Sequence, residues 1–194
     1  PADMFPLRDE NPTDITPVLT LGLIGANVVV WFLLQGAGAQ GALMESLCDW
    51  ATIPGELTGA LREGETIRRG DWTCRVGGAT TSTVLTSMFM HGSWGHLIMN
   101  MWFLWVFGNN IEDSMGHGRY LVFYLLAGVL ASTAHIVSAP DSPVPTVGAS
   151  GAISGVMGAY IVLYPQVRVD TLIFVVFFIR VIPLPAWALL GYWF

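Results

Sequence analysis

Four long stretches without a charged side chain constrain this sequence more than any other feature. Asp, Glu, Lys and Arg are absent from residues 15–44, 76–111, 120–140 and 142–167. Each stretch is at least as long as the ~20 residues that a helix needs to cross a bilayer. Only 11% of the residues are charged, whereas a typical soluble domain has about 25%. The pattern predicts an all-α fold, a polytopic transmembrane helical bundle embedded in a lipid bilayer.

The charge-free stretches also predict how the chain is divided. Residues 1–17 form an N-terminal extramembrane segment, and residues 18–194 form the membrane domain, with a large loop at about 38–80. Pro, Gly and Asn residues bound the predicted spans. The four complete spans are predicted at 18–35, 83–107, 120–137 and 147–164.

The pattern after residue 168 allows two interpretations. One is a single helix over 171–194 with Arg180 inside it, which costs about 2.5–3.5 kcal/mol at mid-bilayer. The other is an interfacial segment to residue 182, followed by a new span from residue 183. The second interpretation leaves about a dozen residues for a helix that needs ~20, so it predicts a partial fifth span that continues past Phe194.

The large loop holds both cysteines, Cys48 and Cys74. The pair allows one disulfide or two free thiols, and the sequence leaves both open. Pro54 begins a stretch, residues 54–58, that predicts a short helix. The net charge of −6 and the absence of lysine argue against a nucleic-acid surface. The acidic N-terminus does not resemble a cleaved secretory signal.

Polar residues interrupt the second predicted span. His91, His96 and Asn100 lie in the string HGSWGHLIMN. His96 and Asn100 are four residues apart and therefore share one helix face. Polar groups within a span usually face the bundle interior or a water-filled cavity and mark a functional site. The structural alternative is hydrogen bonding between helices.

A second unusual string, GASG, covers Gly148 to Gly151 at the start of the fourth predicted span. Ser150 falls in the first helical turn, where backbone N–H groups lack helical partners and the helix dipole favours negative charge. These are the requirements of a nucleophile whose attack creates an oxyanion. The alternative is a packing face, because Gly151, Gly155 and Ala159 form a small-residue stripe. Ser154 is assigned to that packing face, and we expect the partner of the stripe to be a later helix.

A third polar string, GNNIED, closes the second span. Glu112 within it is predicted to cap or brace the turn into the third span. Together, the strings around His91–Asn100, 108–112 and 148–151 resemble the rhomboid family in order and spacing. Residues 6–12 (PLRDENP) and 53–57 (IPGEL) also resemble its bacterial members.

The resemblance implies a six-helix core that cleaves transmembrane protein substrates with a Ser–His dyad and without a metal or cofactor. It implies Ser150 as the nucleophile and His96 and Asn100 as oxyanion-stabilising residues. His91, Gly148, Gly151 and Glu112 are then structural residues near the site. The bacterial inner membrane is the expected location.

The sequence departs from the family pattern at the general base. The family uses a histidine on the sixth helix, but the four histidines here are His91, His96, His117 and His135. None has that context, so we expect the dyad histidine beyond this sequence and expect residues 1–194 alone to be inactive. The alternative is a catalytically inactive pseudoprotease that binds membrane proteins. A transporter is a third possibility, but we find no internal repeats to support it.

Overall fold

The computed structural model describes residues 3–69, 72–77, 80–175 and 178–193. The chain is mostly helical, as predicted. The helices are α1 (Val18–Leu33), α2 (Gln40–Trp50), α3 (Pro54–Leu57), α4 (Thr83–Thr86), α5 (Trp94–Met115), α6 (His117–Ser138), α7 (Ser150–Leu163) and α8 (Ala186–Trp193). The strands are β1 (Asp3–Asp9), β2 (Thr66–Arg69), β3 (Trp72–Arg75), β4 (Arg168–Val175) and β5 (Phe178–Pro185). Two antiparallel sheets, β1-β4-β5 and β2-β3, are therefore added to the predicted all-α fold.

Helices α5 and α7 pack against each other at the centre, with α1 and α6 beside them. The small-residue stripe on α7 contacts α6, not a later helix as expected. A Cβ atom at Gly151 would lie 2.6 Å from Ala131 Cβ, and one at Gly155 would lie 2.5 Å from Ala127 Cβ. The stripe therefore allows α6 and α7 to approach closely, as small residues do between membrane helices.

The second predicted span, 83–107, is not one continuous helix. It consists of α4, a 3-10 turn (Ser87–Phe89) and then α5, which extends to Met115. Ser93 starts α5 as its N-cap, because its hydroxyl accepts a hydrogen bond from His96 N at 3.1 Å. Gly108, predicted to end the span, is a packing residue: a Cβ there would lie 2.8 Å from Tyr120 Oη. Gly116 ends α5 instead, with a φ of 75° that suits glycine.

Residues 168–175 and 178–185 form a β-hairpin, so the interpretation of a single helix over 171–194 is wrong. β4 pairs with β5 in an antiparallel register that places Ile173 opposite Arg180. Arg180 is exposed, so the hairpin avoids the cost of a charge within an apolar helix. The second interpretation predicted a new helix from about residue 183, and α8 begins three residues later, at Ala186.

The N-terminal segment supplies the third strand of this sheet. β1 pairs antiparallel with β4, with Phe5 opposite Leu172 and Asp9 opposite Val169. Trp102 on α5 donates its indole N–H to the Pro6 carbonyl at 2.7 Å. The start of the chain is thereby joined both to the hairpin and to the central helix.

The loop at 38–80 contains the α2 and α3 helices and the β2-β3 hairpin, and α3 confirms the predicted short helix. A disulfide joins Cys48 on α2 to Cys74 on β3, with 5.5 Å between the Cα atoms. Ile53, Ile67, Cys74 and Val76 form a small separate core there. The disulfide fixes α2 to the hairpin, as expected of a loop with so few apolar contacts.

Within the described residues, one helix is long and apolar enough to cross a membrane by the criteria of length and composition. This helix is α6, with a mean hydropathy of 1.8 and only 11% of its most apolar window buried. Helices α1 and α7 are apolar but shorter. Their outer faces still expose large apolar side chains, such as Leu33 at 77% and Val162 at 78%. Exposed apolar side chains of this size on apolar helices suit contact with lipid or protein.

Candidate active site

Helix α5 carries the two polar residues of the second predicted span on one face. Because residues i, i+3, i+4 and i+7 of a helix align, His96, Met99, Asn100 and Phe103 form a single stripe. All four line a cavity of about 220 Å³. The two polar side chains are thus brought to the same wall, near the start of the helix.

Helix α7 forms the opposite wall with the same spacing. Ser150, Ile153, Ser154 and Met157 line the cavity, and Trp193 of α8 completes it. Ser150 is the first residue of α7, and its side chain is exposed. The structure therefore brings Ser150, His96 and Asn100 together around one cavity.

Ser154 does not lie in the packing face to which the sequence assigned it. It is exposed and lines the cavity one turn below Ser150. The packing stripe of Gly151 and Gly155 faces α6, so the two serines occupy the neighbouring face of α7. Both hydroxyls are accessible from the cavity, and their difference lies in their position along the helix.

The backbone at Ser150 is suited to bind an anion. The first α-helical hydrogen bond of α7 runs from Ile153 N to Ala149 O at 2.9 Å. The N–H groups of Ser150, Gly151 and Ala152 precede that bond and have no carbonyl partner earlier in the helix. Such N–H groups, with the positive end of the helix dipole, stabilise negative charge beside the first turn.

The hydrogen bonds of His96 and Asn100 leave donors on the cavity side. The Gly92 N–H donates to His96 Nδ1 at 3.4 Å, which favours the neutral tautomer with its proton on Nε2. Asn100 Nδ2 donates one hydrogen to its own helix, at His96 O, at 3.0 Å. An amide nitrogen has two hydrogens, so the second remains for a ligand in the cavity.

Gly148 controls how closely the loop before Ser150 approaches His96. Its φ is 110°, a conformation that side chains disfavour, and a Cβ there would lie 2.7 Å from His96 Nε2. Its N–H donates to Ser87 O at 2.9 Å. The same loop is held by Thr52, whose N–H and C=O pair with those of Thr146 at 3.2 and 2.7 Å. The position of Ser150 thus depends on contacts with the large loop.

His91 lies behind the site and does not line the cavity. It is fully buried, and its ring centroid lies 5.1 Å from that of His96. Its backbone forms two hydrogen bonds with the Gln35 side chain: His91 N donates at 2.9 Å, and Gln35 Nε2 donates to His91 O at 2.7 Å. These bonds fix the segment that precedes α5.

Glu112 joins three helices at the other end of α5. Its buried carboxylate accepts hydrogen bonds from Leu19 N at 2.9 Å and from both Thr20 N and Thr20 Oγ1 at 2.7 Å. It also contacts His117 Nδ1 at 2.6 Å, at the start of α6. The predicted brace toward the third span is present, but Glu112 also caps the N-terminus of α1, which has no side-chain cap of its own.

Sequence reasoning missed the apolar half of the cavity. Met99, Phe103, Ile153, Met157 and Trp193 line it but were not assigned to the site. The signal was present in α5 and α7, since Met99, Phe103, Ile153 and Met157 fall three or seven positions after His96 or Ser150. Trp193 carried no such signal because only the hairpin brings α8 to the cavity.

Comparison with known proteins gives a match to one family. The family model described as Rhomboid domain matches residues 79–194, which include the residues that line the cavity. Rhomboid protease GluP of Bacillus subtilis (strain 168) is 32% identical over 143 residues, covering 74% of this chain and 24% of that protein.

Relatives from mitochondria and chloroplasts also match this chain over only part of their own length. The mitochondrial presenilin-associated rhomboid-like protein of Homo sapiens is 36% identical over 89 residues, covering 45% of this chain and 24% of that protein. Rhomboid-like protein 11, chloroplastic, of Arabidopsis thaliana is 38% identical over 71 residues, covering 37% and 25%. In each case the alignment with this chain spans about a quarter of the relative's length. This chain belongs to the rhomboid family of integral membrane proteins, which includes serine proteases.

Proposed function

We propose that this chain carries the nucleophile and oxyanion donors of an intramembrane serine endopeptidase that cleaves transmembrane proteins. One observation carries the proposal: Ser150, the first residue of α7, opens onto a cavity whose facing wall holds His96 and Asn100. A nucleophile needs donors near the position where the oxyanion develops, at about 2.7–3.1 Å. We further propose a multi-pass location in a bacterial inner membrane.

The chemistry divides between the two walls of the cavity. The Ser150 hydroxyl attacks the scissile carbonyl, and the carbonyl oxygen becomes negative. The Ser150 N–H, His96 Nε2–H and Asn100 Nδ2–H groups stabilise that oxygen. A helical substrate satisfies its own backbone hydrogen bonds in lipid, so it must unwind locally before its carbonyl reaches Ser150. Helix-breaking residues near the cleavage site should therefore favour cleavage.

The serine requires a base, because a hydroxyl is a weak nucleophile without one. His91 is buried, His117 contacts Glu112, and His135 is exposed near the end of α6. His96 lies at the cavity but serves there as a hydrogen-bond donor. We propose that a histidine outside residues 1–194 accepts the proton, forming a Ser–His dyad.

The test compares residues 1–194 with the polypeptide as its gene encodes it, both purified in detergent. A serine-directed phosphonate should label Ser150 only in the latter, which should also cleave a transmembrane substrate. Ser150→Ala should abolish both, a loss of at least about 10⁴-fold in rate. Ser154→Ala is the matched control on the same wall and should keep most of the activity.

Three other results would each contradict one part of this proposal. If Ser154→Ala abolishes cleavage and Ser150→Ala does not, the nucleophile is wrongly assigned. Equal labelling of both polypeptides would place the base among the four histidines of this sequence. Substrate binding without labelling or cleavage would instead identify an inactive, rhomboid-like binding protein.

A further inference from the structure

One carboxylate oxygen, Asp9 Oδ2, accepts hydrogen bonds from both of the helices that form the cavity walls. Asp9, at the end of β1, accepts a hydrogen bond through Oδ2 from Asn110 Nδ2 on α5 at 2.7 Å. The same oxygen accepts a second hydrogen bond from Tyr160 Oη on α7 at 2.5 Å. Asn110 and Tyr160 are only 1% and 0% exposed. Neither side chain can therefore replace its hydrogen bond to Asp9 with one to bulk water unless the structure changes.

The helices that meet at Asp9 are those that carry the proposed catalytic groups. Asn110 follows Phe103 by seven residues, about two turns, and Tyr160 follows Met157 by three. Phe103 and Met157 form part of the cavity wall. The Phe107 and Tyr160 rings, 5.0 Å apart, fill the space between the cavity and Asp9. A change in helix separation at Asp9 would therefore reach the cavity through packed side chains.

The N-terminal strand holds Asp9 in place and contacts the cavity wall a second time. The Glu10 N–H donates to Arg168 O at 2.9 Å, directly after β1. The Phe5 ring lies 6.3 Å from that of Phe103, whose ring lies 4.9 Å from that of Trp193. β1 thus contacts the α5 side of the cavity and the sheet that leads to α8.

We infer that Asp9 is a positioning residue for the proposed protease: it fixes the separation of α5 and α7 and so aligns Ser150 with His96 and Asn100. The inference rests on the proposed function. Asp9 does not reach the cavity and contacts no reacting atom. It acts through Asn110 and Tyr160, and a small misalignment of catalytic groups is costly, since a shift of about 1 Å can lower a rate 10²-fold.

The test uses Asp9→Ala and Tyr160→Phe in the polypeptide as its gene encodes it, with cleavage kinetics measured well below the melting temperature. Each variant should lower kcat about tenfold and change KM by less than about twofold, because alignment is lost while substrate binding remains. The double variant should be no slower than the slower single variant, since both remove the same hydrogen bond. Asp9→Glu should recover part of the rate.

Glu10→Ala is the matched control, a neighbouring carboxylate that is exposed, and it should leave kcat unchanged. A lower melting temperature with unchanged kcat in Asp9→Ala and Tyr160→Phe would overturn the inference and leave only a structural role. Additive losses in the double variant would also overturn it. Failure of the proposed function is distinguishable, because the unsubstituted protein would then neither react with the phosphonate nor cleave a substrate.

Discussion

The two ends of the α5–α7 pair differ in how their polar groups are satisfied. At the cavity end, Ser150, His96 and Asn100 face open space and keep donors for a ligand. At the opposite end, which we call the anchored end, the carboxylates of Glu112 and Asp9 accept hydrogen bonds from neighbouring elements. The same two helices therefore have one end whose polar groups face a cavity and one end whose polar groups are paired.

The comparison shows where each kind of polar residue is tolerated in an apolar protein. A buried polar group without a partner costs about 1–3 kcal/mol, so the anchored end pairs its carboxylates with N–H and O–H groups. The cavity end leaves its donors beside a space of about 220 Å³ that a ligand can fill. Substitutions at the cavity end should chiefly change rate, and substitution of Glu112 at the anchored end should chiefly change stability, whereas Asp9, which joins α5 to α7, should also affect rate.

The largest effect expected from a single lost donor is at Asn100. Asn100→Ala should lower kcat about 10²–10³-fold, the usual cost of losing one oxyanion donor, while the melting temperature stays nearly constant. The measurement is cleavage of a transmembrane substrate in detergent. Thr133→Ala is the control, because Thr133 also donates to its own helix, at Val129 O at 2.8 Å, but lies on α6 outside the cavity. It should leave the rate within about twofold of that of the unsubstituted protein. A large fall in melting temperature for Asn100→Ala would assign Asn100 to packing.

Gly148→Ala should have the next largest effect on rate. The new Cβ would lie 2.7 Å from His96 Nε2, at a φ of 110°, so it should displace the imidazole or the loop that precedes Ser150. We expect about a 10²-fold lower kcat, as for a catalytic group displaced by about 1 Å. Gly158→Ala on α7 is the control, because no atom lies within 4 Å of its added Cβ. Equal activity of both variants would show that the close approach to His96 is not required.

Glu112→Ala tests the anchored end through stability. It removes the acceptor of Leu19 N and Thr20 N at the start of α1, so the free energy of unfolding should fall by about 3 kcal/mol. Unfolding in detergent measures this change. Asp113→Ala is the milder control, since Asp113 accepts from Asp14 N and Ile15 N at 3.3 and 3.0 Å near the surface. A rate loss in folded Glu112→Ala that exceeds that of Asn100→Ala would contradict the division between the two ends.

The smallest effect is a pH dependence at Asp9. Burial raises the pKa of its carboxyl above the ordinary value of 3.8, partly opposed by the Tyr160 hydrogen bond. A raised pKa in the folded state means that its contribution to stability is fully present below pH 3.8 and is lost as pH rises through the folded pKa. Asp9→Asn should remove this slope from a plot of melting temperature against pH, and Glu10→Gln should not. Identical slopes for both variants would show that Asp9 titrates as in the unfolded chain.

Predictions from the sequence were most accurate where one residue and its neighbours fix the structure. Ser150 at a helix start and the short α3 helix follow from loop and proline signals. The prediction for span two was wrong in its continuity and at its C-terminal end, because the N-cap at Ser93 and the packing of Gly108 against Tyr120 are not visible in hydropathy. The sequence left undecided whether Cys48 and Cys74 form a disulfide, because only the fold brings α2 beside β3.

The sequence by itself determined that this chain is mostly helical and apolar, that Ser150 starts a helix, and that His96 and Asn100 share one helix face. These properties depend on charge-free length and helical period, which are local. Only the tertiary structure decided that residues 168–185 pair as strands, that Gly151 and Gly155 face α6, and that Ser154 faces the cavity. It also decided that Asp9 joins α5 to α7. Each of these outcomes depends on a partner distant in the chain, because strand pairing, close helix packing and buried hydrogen bonds are long-range contacts.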